Sequence, residues 1–213
     1  MISNRFGQEG EGSIISYNWS ELGSGSGYVT FYGGKAEDNN GDDEYFLTTT
    51  TPRSRSIEST NTGDQITLTR TFEATPFIIP AIVKGKALVT FTWGGDADNV
   101  NDSFDFSVYI IHYDGTTETT LGSIVEEFRY ISGAGVVNQN ETCYLDCSEQ
   151  KFEIGDSLRL KIVLRQSVNT GSNDHVLVLG HDPTNRDGTY ITPSSEDATT
   201  ILRLDCPFKR TDL

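Results

Sequence analysis

Apolar and polar residues alternate along most of this 213-residue chain. From Ser157 to Arg165, Leu158, Leu160, Ile162 and Leu164 fall on one face, with Arg159, Lys161 and Arg165 on the other. That period of two marks a strand with one face in a core and one in solvent. Phe152-Glu-Ile-Gly-Asp156 precedes it and reads as a turn with Gly155 and Asp156 at the apex. Ser103 to Tyr113 repeats the pattern, with Phe104, Phe106, Val108 and Ile110 on one face. It ends at Asp114-Gly115, a hairpin signal, so Thr116 to Thr120 carries the return. Further strands are expected at 13–19, 28–32, 44–50, 65–72, 77–83, 87–93, 124–131, 142–147, 176–179 and 200–204. No segment shows a 3.6-residue period with caps. The fold expected is all-β: an antiparallel β-sandwich, jelly-roll-like, with long polar loops.

Two stretches share a pattern. Tyr32-Gly-Gly-Lys-Ala-Glu-Asp-Asn-Asn40 and Trp93-Gly-Gly-Asp-Ala-Asp-Asn-Val-Asn101 each run from an aromatic through two glycines into acidic residues. They read as strand ends followed by equivalent polar loops at one end of the sandwich. Residues 1–26, with Gly7-Gln-Glu-Gly-Glu-Gly12 and Gly23-Ser-Gly-Ser-Gly27 across their span, read as a flexible N-terminal arm before a single domain over 27–213.

Composition narrows the partners. The net charge is −15 and hydrophobic residues make up 35%. Such a surface repels phosphate backbones and anionic membranes, so neither nucleic acid nor membrane is expected as a partner. The first residues, Met1-Ile-Ser-Asn-Arg-Phe-Gly7, hold no apolar signal core, so synthesis in a cytoplasm without export is expected.

Candidate chemistry starts with the acidic loops. Calcium takes six to eight oxygen ligands, and crowded carboxylates invite it. Asp38, Asp42 and Asp43 in the first loop, with Asp96, Asp98 and Asp102 in the second, are the candidate metal ligands. Glu37, Glu44 and Asp105 lie beside them. His112, His175 and His181 are too scattered for zinc. Cys143 and Cys147 would sit ~13 Å apart on a strand, too far to bridge each other. That leaves three reduced thiols, or a bridge from one of them to Cys206. There is no nucleophile elbow, no Walker A loop and no Rossmann fingerprint. An enzyme is therefore not expected, nor a catalytic residue or organic cofactor.

The absent export signal, the Gly/Ser arm, the Thr/Asn/Asp-rich loops and the Phe152-x-x-Gly-Asp156 turn together resemble the β-sandwich virion structural proteins of tailed viruses, of the capsid-decorating or capsid-associated type. The resemblance implies a non-catalytic structural component of a virus particle, located in the virion, contacting other copies of itself and other virion proteins. The alternative is a carbohydrate-binding, lectin-like module, with or without calcium in the acidic loops, and a third reading is a small hydrolase on a jelly-roll scaffold. The lectin-like module would stack sugars on Trp19, Tyr28, Tyr32, Trp93, Tyr109 or Tyr113.

Overall fold

The computed structural model describes residues 26–37, 41–51, 58–63, 66–97, 103–130, 135–168, 175–181, 187–188, 198–199 and 201–209. The expected arm, the expected strand at 13–19 and most of both acidic loops fall outside them. Within them the chain is all-β, and no helix occurs among the described residues. The strands are β1 Ser26–Glu37, β2 Asp43–Thr48, β3 Glu58–Gly63, β4 Thr67–Ala74, β5 Ala81–Ala97, β6 Ser103–Tyr113, β7 Glu118–Tyr130, β8 Gly135–Phe152, β9 Ser157–Val168, β10 His175–Gly180 and β13 Leu202–Lys209. Two short pieces, β11 Asp187–Gly188 and β12 Ala198–Thr199, pair with each other.

Hydrogen bonds link the eleven main strands into one sheet that folds over on itself as a sandwich. One layer is β8-β5-β13-β1, with β10 and β3 beside the far part of β5. The other is β2-β4-β9-β6-β7. Among the described residues every pairing is antiparallel except β2 with β4. Strand β1 belongs to both layers: Tyr32 pairs with Arg203 of β13 and with Thr48 of β2. The corner follows at Gly33, where a Cβ would lie 2.0 Å from Leu202 and 3.2 Å from Phe72. On the opposite side β7 runs against β8. There the Ser148 hydroxyl donates to the Leu121 carbonyl at 3.2 Å, and a Cβ on Gly122 would come within 2.9 Å of the Asp146 carbonyl.

The layers meet through aromatic rings. Phe91 packs edge-on against Phe106 at 5.3 Å, and Trp93 lies tilted against Phe104 at 5.7 Å. Leu158, Leu160, Ile162 and Leu164 are buried, as the alternation predicts. Their outward neighbour Arg159 differs from the expectation of a solvent-facing side chain. It lies 3.4 Å over the Tyr113 ring and is paired to Glu73 and Glu118 at 2.6 and 2.7 Å. The adjacent Tyr113 and carboxylates draw the guanidinium down onto the sheet.

Two boundary expectations also change. The glycine pairs do not end strands: β1 continues to Glu37 and β5 to Ala97. Gly95, like Gly33, serves close packing, since a Cβ there would meet the Phe104 ring at 2.9 Å. The strand expected at 77–83 starts only at Ala81. Pro80 has no N–H to give a ladder, and Phe77-Ile-Ile-Pro80 is instead a loop tied to the β8–β9 turn.

Candidate functional site

The loop 75–80 and the turn 153–156 meet at one end of the sandwich. The Phe77 N–H donates to the Asp156 carbonyl at 2.8 Å, and the Gly155 N–H donates to the Phe77 carbonyl at 2.9 Å. Phe77 then points inward, its ring 5.0 Å from Phe152 and 6.0 Å from Phe208. Gly155 takes φ +97°, which a residue with a Cβ rarely adopts. The turn is locked from within: the Asp156 carboxylate accepts the Glu153 N–H at 2.8 Å and contacts His112 Nε2 at 2.6 Å. The His112 ring stands edge-on to Phe152 at 4.6 Å. Burial works to raise the Asp156 pKa, but the hydrogen bonds from His112 and Glu153 and the His112 charge together hold it below the ordinary carboxylate value. Next in sequence, the Ser157 hydroxyl donates to Glu73 Oε1 at 2.6 Å. Ser157, His112 and Asp156 therefore form no nucleophile–base–acid relay.

This rigid frame presents apolar groups to solvent. Ile78 is 82% exposed, Ile79 53% and Ile154 69%. The sequence pattern puts Ile78 and Ile79 in a strand and Ile154 in a turn. Their shared exposure follows from the pairing of two segments more than 70 positions apart, which periodicity along one strand does not report.

The acidic residues lie at the other end. Strands β1 and β5 run the same way, each antiparallel to β13, so both acidic segments leave the same end of the sandwich. The connections differ: β1 returns as a hairpin to β2, whereas β5 leads across to β6 in the facing layer. Asp42 is exposed before β2. Asp43 holds Lys35 at 2.7 Å, and that hydrogen bond is the main cause of its lowered pKa. Asp96 is in β5, opposite Val136. Asp38, Asp98 and Asp102 lie outside the described residues. Asp105, grouped with the loop acids in sequence, is buried in β6 and gripped by Arg165 at 3.0 Å. Among the described residues no three His, Cys, Asp or Glu side chains cluster to hold a metal.

The candidate stacking residues also divide. Trp93 is buried and donates to Glu141 at 3.3 Å. Tyr113 lies under Arg159, and Tyr109 is 5.9 Å from the Lys161 ammonium. Tyr32 is half-buried, and Trp19 is outside the described residues. Tyr28 is 55% exposed, as is Tyr144 at 66%, which sequence reasoning did not single out. Cys143, Cys147 and Cys206 are all buried free thiols. Burial pushes Cys147 up to about 11.

Comparison with known protein families and with curated proteins matches nothing to this chain. Solved structures do share its fold. An α-amino acid ester hydrolase matches 85% of this chain with 36% of its own, at TM-score 0.54 and 9% identity. An aminopeptidase from a marine sediment Thaumarchaeota archaeon matches 87% with 37% of its own, at TM-score 0.50 and 9% identity. The chain thus spans little more than a third of these enzymes. The VP2 subviral particle of infectious bursal disease virus is a far looser likeness, at TM-score 0.29 and 13% identity over 77% of this chain and 43% of that one. The expectation that the chain is no enzyme is overturned here: two solved proteins whose fold it shares are hydrolases. A missing sequence motif could not exclude a fold that enzymes carry.

Proposed function

We propose that this chain is a subunit of a virus particle that works by docking onto neighbouring subunits, and that the isoleucine end is its docking surface. The observation that carries the docking part is the exposure of Ile78, Ile79 and Ile154 on a hydrogen-bonded, turn-locked frame. An apolar cluster held rigid loses little conformational freedom when a partner covers it. Full burial of an exposed isoleucine contributes about 1.5–3 kcal/mol, so covering Ile78 gains most of that and covering the half-buried Ile79 about half. The particle part rests on the resemblance in sequence to virion sandwich proteins. The charge of −15 fits a subunit kept soluble before assembly.

A second reading comes from the share of chain matched. The ester hydrolase and the aminopeptidase each contain a β-region like this one that makes up little more than a third of the whole chain. On that reading this chain is the sandwich portion of a larger hydrolase, and the same isoleucine end seats the remaining portion.

Light scattering on the full chain and on an Ile78→Ser/Ile154→Ser variant tests the docking. Self-association that the variant loses while keeping its melting temperature supports it. A wild-type protein that stays monomeric and does not bind isolated particles contradicts it. Turnover of an amino acid ester by the purified chain would move the account to the hydrolase reading.

A further inference from the structure

The outer face of the β8-β5-β13-β1 layer carries a second feature, independent of the isoleucine end. Tyr28 on β1 lies opposite Pro207 of β13, and β5 is the next strand beyond. The β13–β5 ladder is broken between Asp205/Leu88 and Phe208/Val83. In that gap the Tyr28 hydroxyl donates to the Lys86 carbonyl at 2.9 Å. Two strand spacings are ~10 Å, a distance a tyrosine bridges only by lying along the sheet. Its ring therefore rests over Pro207, which is buried, with one face toward solvent.

Tyr144 continues the same surface. It lies opposite Leu88 on β8, and its neighbour Asp146 lies opposite Lys86. Three strand spacings and two residues of offset put the tyrosine Cα atoms ~16 Å apart, and the Tyr28 ring, laid toward β5, is nearer to Tyr144 than that, within the reach of a short oligosaccharide. Between them the Lys86 ammonium and the Asp146 carboxylate sit 3.9 Å apart, both exposed. The neighbouring charges nearly cancel: Lys84 and Lys209 share Glu149, at 2.6 and 3.7 Å, and Arg203 pairs with Asp205 at 2.9 Å. On a chain of net charge −15 this face is close to neutral, with one ammonium in excess. It does not repel a neutral ligand, and it offers an ionic one little unmatched charge.

We infer that this face binds a neutral pyranose oligosaccharide, stacked on Tyr28 and Tyr144 and hydrogen-bonded by Lys86 and Asp146. A pyranose has an apolar C–H face and a polar hydroxyl rim. The face supplies the counterpart of each: two amphipathic rings, and between them a donor and an acceptor.

The test is calorimetric titration of the full chain with neutral gluco-, manno- and xylo-hexasaccharides. At least one should bind. Tyr28→Ala and Tyr144→Ala should each weaken it about tenfold or more, a loss of ~1.4 kcal/mol, with the melting temperature of Tyr144→Ala unchanged. Tyr28→Phe, which keeps the ring and frees it from Lys86, should weaken binding less than Tyr28→Ala. If Tyr28→Ala does not fold, Tyr144→Ala alone decides. No binding by any of the three sugars overturns the inference, as does equal binding by wild type and Tyr144→Ala. Masking of both tyrosines by a second copy of the chain overturns it too.

Discussion

Leu158, Leu160, Ile162 and Leu164 on β9 and Ile78, Ile79 and Ile154 at the isoleucine end are similar side chains in opposite circumstances. The first set is removed from water by its own chain, each at 0–1% exposure. The second stands 53–82% exposed on a loop and a turn tied to each other by backbone hydrogen bonds. A single exposed isoleucine needs no explanation, but three on joined, locked segments do. Hydropathy is the same in both sets, so function has to be read from what the fold leaves uncovered.

The largest effect should come from the buried set. Leu160→Ala removes side-chain packing at a position with 0% exposure and should cost ~2–5 kcal/mol, seen in chemical unfolding. The lock beneath the exposed set comes next. Asp156→Ala strands the Glu153 N–H and His112 together, and should cost ~1–3 kcal/mol. A loss as small as that of a surface change would mean the turn is held by its backbone alone.

The same lock has a pH signature. The folded pKa of Asp156 is depressed, so its contribution is fully present above the unfolded value of about 3.9. It is lost as pH falls through the lower folded value. The stability gap between wild type and Asp156→Asn should therefore hold near neutrality and shrink below about pH 4. A gap that widens on acidification would contradict the assignment.

Arg159→Ala should cost more than Lys161→Ala, because Arg159 packs on Tyr113 and pairs with Glu73 and Glu118. The difference should be ~1 kcal/mol, within the range of a partly exposed ion-pair network. Equal costs would return Arg159 to the solvent-facing role that simple alternation gives it. The smallest chemical response should come from the thiols. With Cys143, Cys147 and Cys206 buried, and Cys147 raised to about 11, a thiol reagent at neutral pH should label them only on unfolding.

The parts of the fold legible in the chain were those where one strand face is apolar, as in β6 and β9. Strand β8 was expected only at 142–147 but runs from Gly135 to Phe152, because the flanking Asn138-Gln-Asn-Glu141 and Ser148-Glu-Gln-Lys151 carry no apolar alternation and its partner β5 decides its length. Strand β3, Glu-Ser-Thr-Asn-Thr-Gly, has no apolar alternation at all. Its pairing with β10 supplies what its sequence does not announce. The glycine pairs misled for the opposite reason. At Gly33 and Gly95 a missing Cβ makes room for Leu202 and for Phe104, a need visible only once the layers are stacked. Of the candidate sites, Tyr28 was legible as an aromatic at a strand start. Its flat pose depends on a broken ladder two strands away.

Replacing Ile78 and Ile154 by serine should change the melting temperature little, since both side chains are mostly in water already. The measurement that tests the central claim most directly is light scattering of that double variant beside wild type, in the same buffer and over the same concentrations. The account predicts an assembled wild type and a folded, dissociated variant. Identical masses for the two, at equal melting temperature and with equal binding to isolated particles, would contradict it.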